Sequence, residues 1–117
     1  MLHHLLTQRF SKNILQLCGC KHDGYITLDT YGAPRVSGGM CLCLHDLLLI
    51  GEMVRNQGFS QGSSVVPPAW INDIVLNRDN KIWMNQRDSV GPRLFKKGNY
   101  RSLWYQTGQD DREICGL

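Results

Sequence analysis

The pattern Cys-x-Cys-x-His is written twice, as CGCKH at residues 18 to 22 and as CLCLH at residues 41 to 45, an offset of 41 − 18 = 23 residues. On an extended segment, residues i, i+2 and i+4 project to one face, so each copy offers two thiols and an imidazole on the same side. Two such faces brought together enclose a metal. Thiolates suit Zn²⁺ or Cu⁺, and a structural zinc takes four ligands. The six candidate metal ligands, Cys18, Cys20, His22, Cys41, Cys43 and His45, therefore reduce to the four cysteines with the histidines as bystanders, or to three cysteines with His22 or His45. Zinc is the expected cofactor, and Lys21 or Arg35 would offset the charge of a thiolate set.

The same residues have a plainer reading. Cysteine is among the most buried residue types and packs as a small hydrophobe, so MCLCL reads equally as core and Cys18 as the end of an amphipathic helix face. His22 beside Asp23 and His45 beside Asp46 then become turn or cap residues. A helix beginning near Met40 would set Cys41 and Cys43 about 200° apart and break the second face. A cysteine nucleophile would need His22 or His45 within hydrogen-bond reach. Asp23, Asp29 and Asp46 suggest carboxylate chemistry, but each has a simpler turn or cap role.

The periodicity around these motifs is mixed. Leu2, Leu5, Leu6, Phe10, Ile14 and Leu17 recur at three- and four-residue steps, which predicts a helix of about four turns ended by Gly19. GYITLDT, residues 24 to 30, alternates like a strand and is followed by a turn at Tyr31-Gly-Ala-Pro34, with a second extended piece expected from Arg35 to Leu44. Asp46 reads as the N-cap of a central helix carrying Leu47, Ile50, Met53 and Val54, closed by Asn56 and Gly58. GFSQGSSVVPP, residues 58 to 68, is a loop. Pro68 suits a first helical position, leading into Ala69, Trp70, Ile71 and Ile74, although a hairpin of Ile74–Leu76 with Lys81–Met84 competes. Turn signals at Gly91-Pro92 and Gly98-Asn99 precede an extended run from Ser102 to Gln106. The whole reads as one small α+β domain with an N-terminal amphipathic helix, a central helix and a small antiparallel sheet.

Charge is unevenly distributed. Residues 1 to 77 hold five basic and five acidic side chains, whereas residues 78 to 105 hold seven basic against two acidic, a local excess of 7 − 2 = +5. Within it, Arg87, Arg93, Lys96, Lys97 and Arg101 are interleaved with Tyr100, Trp104 and Tyr105. Cations neutralise phosphates and aromatic faces stack on bases, so this composition fits RNA or single-stranded DNA. The same residue types anchor protein interfaces and would meet an acidic protein surface, and a solvated edge strand is the plain alternative.

Several classes are excluded or disfavoured. No apolar run approaches the roughly 20 residues of a membrane span. The first 15 residues lack the features of a secretory signal, and their Arg9 and Lys12 without an acid resemble a transit peptide only faintly. Five cysteines cannot all pair internally, which fits an intracellular, reducing compartment. No phosphate-binding glycine loop is present. The expectation is a small non-catalytic binding protein, metal-stabilised in its first half and contacting nucleic acid through its basic stretch. A protein-interaction module and a cysteine- or metal-dependent hydrolase are the alternatives.

Overall fold

A computed structural model of the chain describes residues 2–35, 38–77, 79–86 and 90–108. Helices and short antiparallel strand pairs alternate along it, the α+β content that the sequence predicts. The chain divides into two compact units, Met1–Pro67 and Pro68–Leu117. Among the described residues, no helix is long and apolar enough to cross a membrane.

The first unit begins with α1, Leu2–Phe10, which runs on through Ser11–Leu15 in a widened π-helical turn. There Gln16 N–H donates to Ser11 O at 2.9 Å and Cys20 N–H to Leu15 O at 3.0 Å, both five residues back. Gly19, at φ +81°, takes the left-handed position that stops the helix, as expected of glycine after a helix end. The apolar stripe is only partly covered: Phe10 and Ile14 are half-buried and Cys18 fully buried, whereas Leu5, Leu6 and Leu17 stay exposed.

The strands are shorter than the alternation suggests. β1, Tyr25–Ile26, pairs antiparallel with β2, Met40–Cys41, in the register Tyr25 to Cys41 and Ile26 to Met40. Hydrogen bonds from Thr27 N–H to Gly39 O and from Arg35 N–H to Thr27 O extend the pairing. Asp29 closes the reversal by accepting from the N–H groups of Tyr31 and Ala33 at 2.8 and 2.9 Å. This carboxylate satisfies backbone donors that the tight turn would otherwise leave open.

α2, Leu44–Arg55, follows at once. Its N-cap is Cys43 rather than Asp46, because the extended segment ends three residues earlier than Asp46 would require. Met53 and Val54 are its buried apolar residues. Gly58 lies beyond its C-terminus at φ +89°, where an added Cβ would come within 2.2 Å of Val66 O. The stretch expected as loop contains a small hairpin, β3 Phe59–Ser60 with β4 Ser63–Ser64, turning through Gln61 and Gly62 at positive φ.

In the second unit, α3 is Pro68–Leu76 and α4 is Asn80–Asn85, so the competing hairpin does not form. Asp79 caps α4 by accepting from Lys81 N–H and Ile82 N–H at 3.0 and 3.1 Å. α5, Val90–Leu94, replaces the turn expected at Gly91-Pro92. Proline has no N–H to donate, so it is tolerated in the first turn of a helix. β5, Asn99–Arg101, and β6, Trp104–Gln106, form a hairpin whose turn residues Ser102 and Leu103 both have positive φ. Ile71, Ile74 and Trp83 make the buried core of this unit. The Trp83 indole donates to Phe95 O at 2.8 Å and lies so close to Gly91 and Gly98 that a Cβ at either would come within 3 Å of the ring.

Candidate functional site

Gly19 turns the chain so that Cys20, Lys21 and His22 cross the N-terminus of α2, and the two pentapeptides meet there. Asp46 is the centre of the contact and is fully buried. Its carboxylate accepts from His22 N–H at 3.0 Å and from Lys21 N–H at 3.4 Å. The Nδ1 atoms of His22 and His45 lie 3.3 and 3.2 Å from its two oxygens. Its own N–H donates to Cys43 Sγ at 3.4 Å, and its carbonyl accepts from the Cys20 thiol at 3.7 Å. Cys43 Sγ is 3.2 Å from His22 Nδ1, and the two imidazoles meet edge to face at 6.1 Å.

The electrostatics follow from this packing. Burial by itself would raise the Asp46 pKa, but the His45 side chain, the His22 and Lys21 backbone N–H groups and the His22 ring together outweigh it. The carboxyl is therefore held well below the usual carboxylate range. Burial, then the Asp46 charge, pushes the Cys20 thiol up, and burial alone does the same for Cys18. A raised thiol pKa disfavours the free thiolate needed for nucleophilic attack.

The six sequence-selected donors separate accordingly. His22, Cys43 and Asp46 offer ligand atoms that all lie within 4.8 Å of one another, a group able to hold a metal ion. Cys20 and His45 touch Asp46 from either side. Cys18 sits in the core of the first unit, as the packing reading requires, and Cys41 is exposed on β2. Neither belongs to the group of three. The two faces meet, but not as four sulfurs: Cys43 is the still-extended N-cap of α2 and His45 is already helical, so the i, i+2, i+4 face of the second pentapeptide stops short of its histidine.

Asp46 is the member that the ligand list lacks. Its signal was the spacing Cys43-x-x-Asp46, the N-cap and N3 positions of a capping box. In the usual box the N3 side chain reaches back to the N-cap N–H. Here its carboxylate instead receives the N–H groups of the distant Lys21 and His22.

The basic stretch serves its own unit in part. Arg87 lies outside the described residues. Arg93, Lys96 and Lys97 are exposed. Arg101 forms a two-pronged ion pair with Asp73 at 2.6 and 2.9 Å, which holds the Asp73 carboxyl below its usual range. Tyr100 and Tyr105 pack on each other with ring centroids 4.7 Å apart, and Tyr105 also meets Trp83 edge-on at 6.0 Å. Trp104 is half-buried.

No family model matches the chain. A 95-residue stretch, 81% of the chain, is 25% identical to the 6-aminohexanoate-dimer hydrolase of Paenarthrobacter ureafaciens. The match spans 24% of that protein, about a quarter of its length.

Proposed function

We propose that this chain forms part of the scaffold of a hydrolase related to the 6-aminohexanoate-dimer hydrolase, acting on that dimer or a similar small amide. The similarity over 95 residues carries this reading. The geometry of the cluster supports a scaffolding role. In a nucleophile–imidazole–carboxylate relay, the nucleophile and the acid occupy opposite ring nitrogens. Cys43 and Asp46 instead converge on the same Nδ1 of His22. Asp46 joins the 20–22 segment to α2, and the reacting groups of such a hydrolase would come from sequence outside the matched quarter.

A chimera tests this. The matched segment of the 6-aminohexanoate-dimer hydrolase is replaced by the corresponding residues of this chain, and hydrolysis of the dimer is measured. Retained hydrolysis that survives Cys43→Ser is the expected result. A cooperatively folded chimera without activity would overturn the hydrolase reading. Hydrolysis by this chain alone, lost in Cys43→Ser, would move the reaction to the cysteine–imidazole pair.

A second reading concerns a zinc ion at the same cluster, held by His22, Cys43 and Asp46, one protein ligand fewer than a closed structural site uses. With Zn–N near 2.0 Å and Zn–S near 2.3 Å, tetrahedral ligands are spaced by about 3.3 to 3.5 Å. The observed 3.2 Å from His22 Nδ1 to Cys43 Sγ and 3.3 Å to Asp46 are close to those edges. Such a zinc would reinforce the junction without taking part in hydrolysis. Elemental analysis decides: near-stoichiometric zinc and a lower melting temperature after chelation support it, and metal-free, cooperatively folded protein ends it.

A further inference from the structure

Helix α2 has an apolar side that its own unit leaves uncovered. Met53, Val54 and Asp46 are buried, while Leu44, Leu47 and Leu48 are 72%, 46% and 63% exposed. At i, i+3 and i+4 these leucines are surface neighbours, and Gly51, four residues after Leu47 and three after Leu48, continues the same face. Gly51 is unusual there. A Cβ added to it would meet nothing within 4 Å, and its backbone lies outside the left-handed region that favours glycine. Glycine inside a helix weakens it relative to alanine, and no contact within the described residues explains why the position should be bare. A missing side chain amid apolar neighbours lets a second backbone approach closely.

The uncovered face carries no charge of its own, and the nearby Glu52 and Arg55 neutralise each other in an ion pair. It therefore suits an apolar polypeptide surface rather than an acidic or basic one. The matched stretch covers 24% of the 6-aminohexanoate-dimer hydrolase, leaving 100 − 24 = 76% of that protein without a counterpart in the match. We propose that Leu44, Leu47, Leu48 and Gly51 are the docking face for the remaining polypeptide of such a hydrolase, with an apolar helix or strand seated across Gly51. The proposal rests on the hydrolase reading above.

Two measurements test it. The proposal requires the face to be open in the 117-residue chain alone. An apolar dye should bind and brighten, and the triple variant Leu44→Gln, Leu47→Gln, Leu48→Gln should lose at least about half of that signal with helix content retained. In the same chain Gly51→Ala should raise the melting temperature by roughly 2 to 6 °C, the effect of an ordinary helix glycine. In the chimera, where the face is covered, Gly51→Leu should lower the melting temperature instead. A Gly51→Leu substitution that stabilises a folded, active chimera overturns the docking face and leaves the hydrolase reading standing. A folded chimera without activity removes the hydrolase reading, whatever the sign at Gly51. A concentration-dependent dimer of the chain that the triple variant dissociates assigns the face to a second copy and overturns the proposal. Should the chimera fail to fold, the dye comparison decides, and an unchanged signal in the triple variant overturns it.

Discussion

Asp46 shows how one residue can be misplaced in sequence by three positions and remain the most informative side chain of its unit. Being fully buried and ionised, it depends on the N–H groups and imidazoles around it, because an unpaired buried charge is strongly unfavourable. Its folded pKa is depressed, so its contribution to stability is present above the unfolded value of about 3.9 and is lost as pH falls through the folded one. Asp73, held low by Arg101 and Asn77, acts in the same direction. Unfolding midpoints measured across pH are therefore expected to fall progressively below about pH 4, and Asp46→Asn should flatten that dependence. A variant with the same acid profile as the parent would contradict the assignment. Cys43→Ser is expected to be neutral or to stabilise by up to about 1 kcal/mol in chemical denaturation, since serine is a preferred N-cap. Trp83→Ala should cost about 3 to 5 kcal/mol, because two glycines leave room for the full indole and nothing smaller fills it.

At the level of elements, the helices were legible where periodicity and caps agreed. The helical run that α1 begins stops before Gly19, and α2 stops near Asn56, because left-handed residues follow both, and Pro68 opens α3 as its fixed φ favours. The strands were not legible in length, since pairs of two or three residues are held by turns and neighbouring side chains rather than by alternation. Nor could α5 be read, because Gly91-Pro92 normally signals a turn. The glycine is needed against Trp83, and the proline sits in a first turn that needs no N–H. The β5–β6 turn is the clearest local conflict. Ser102 and Leu103 both adopt positive φ, a geometry that favours Asn-Gly. Replacing them with Asn-Gly should stabilise the hairpin by about 0.5 to 1 kcal/mol, read from the unfolding midpoint. Removing the α4 cap with Asp79→Ala should cost about 1 kcal/mol.

For the molecule as a whole, periodicity and turn signals predicted an α+β fold with two helices and a small antiparallel sheet, and helices with separate short antiparallel strand pairs are what form. His22 and Cys43, one from each pentapeptide, come within 3.2 Å of each other, and the turn expected at Tyr31 to Pro34 lies in the reversal between them. Which donors would meet was not legible, because that depends on where α2 begins, which local sequence leaves open by a few residues. The excess of +5 over residues 78 to 105 retains one untested use. If Arg93, Lys96 and Lys97 contact phosphate, single-stranded oligonucleotide binding should weaken steeply with salt, and Lys96→Ala with Lys97→Ala should reduce the salt slope. Absence of binding at low salt ends that proposal. The three tryptophans, Trp70, Trp83 and Trp104, all follow Pro67, so every indole of the chain belongs to the second unit. Melting followed by indole emission reads the second half directly, and its comparison with far-ultraviolet ellipticity would reveal whether the two halves lose their order together.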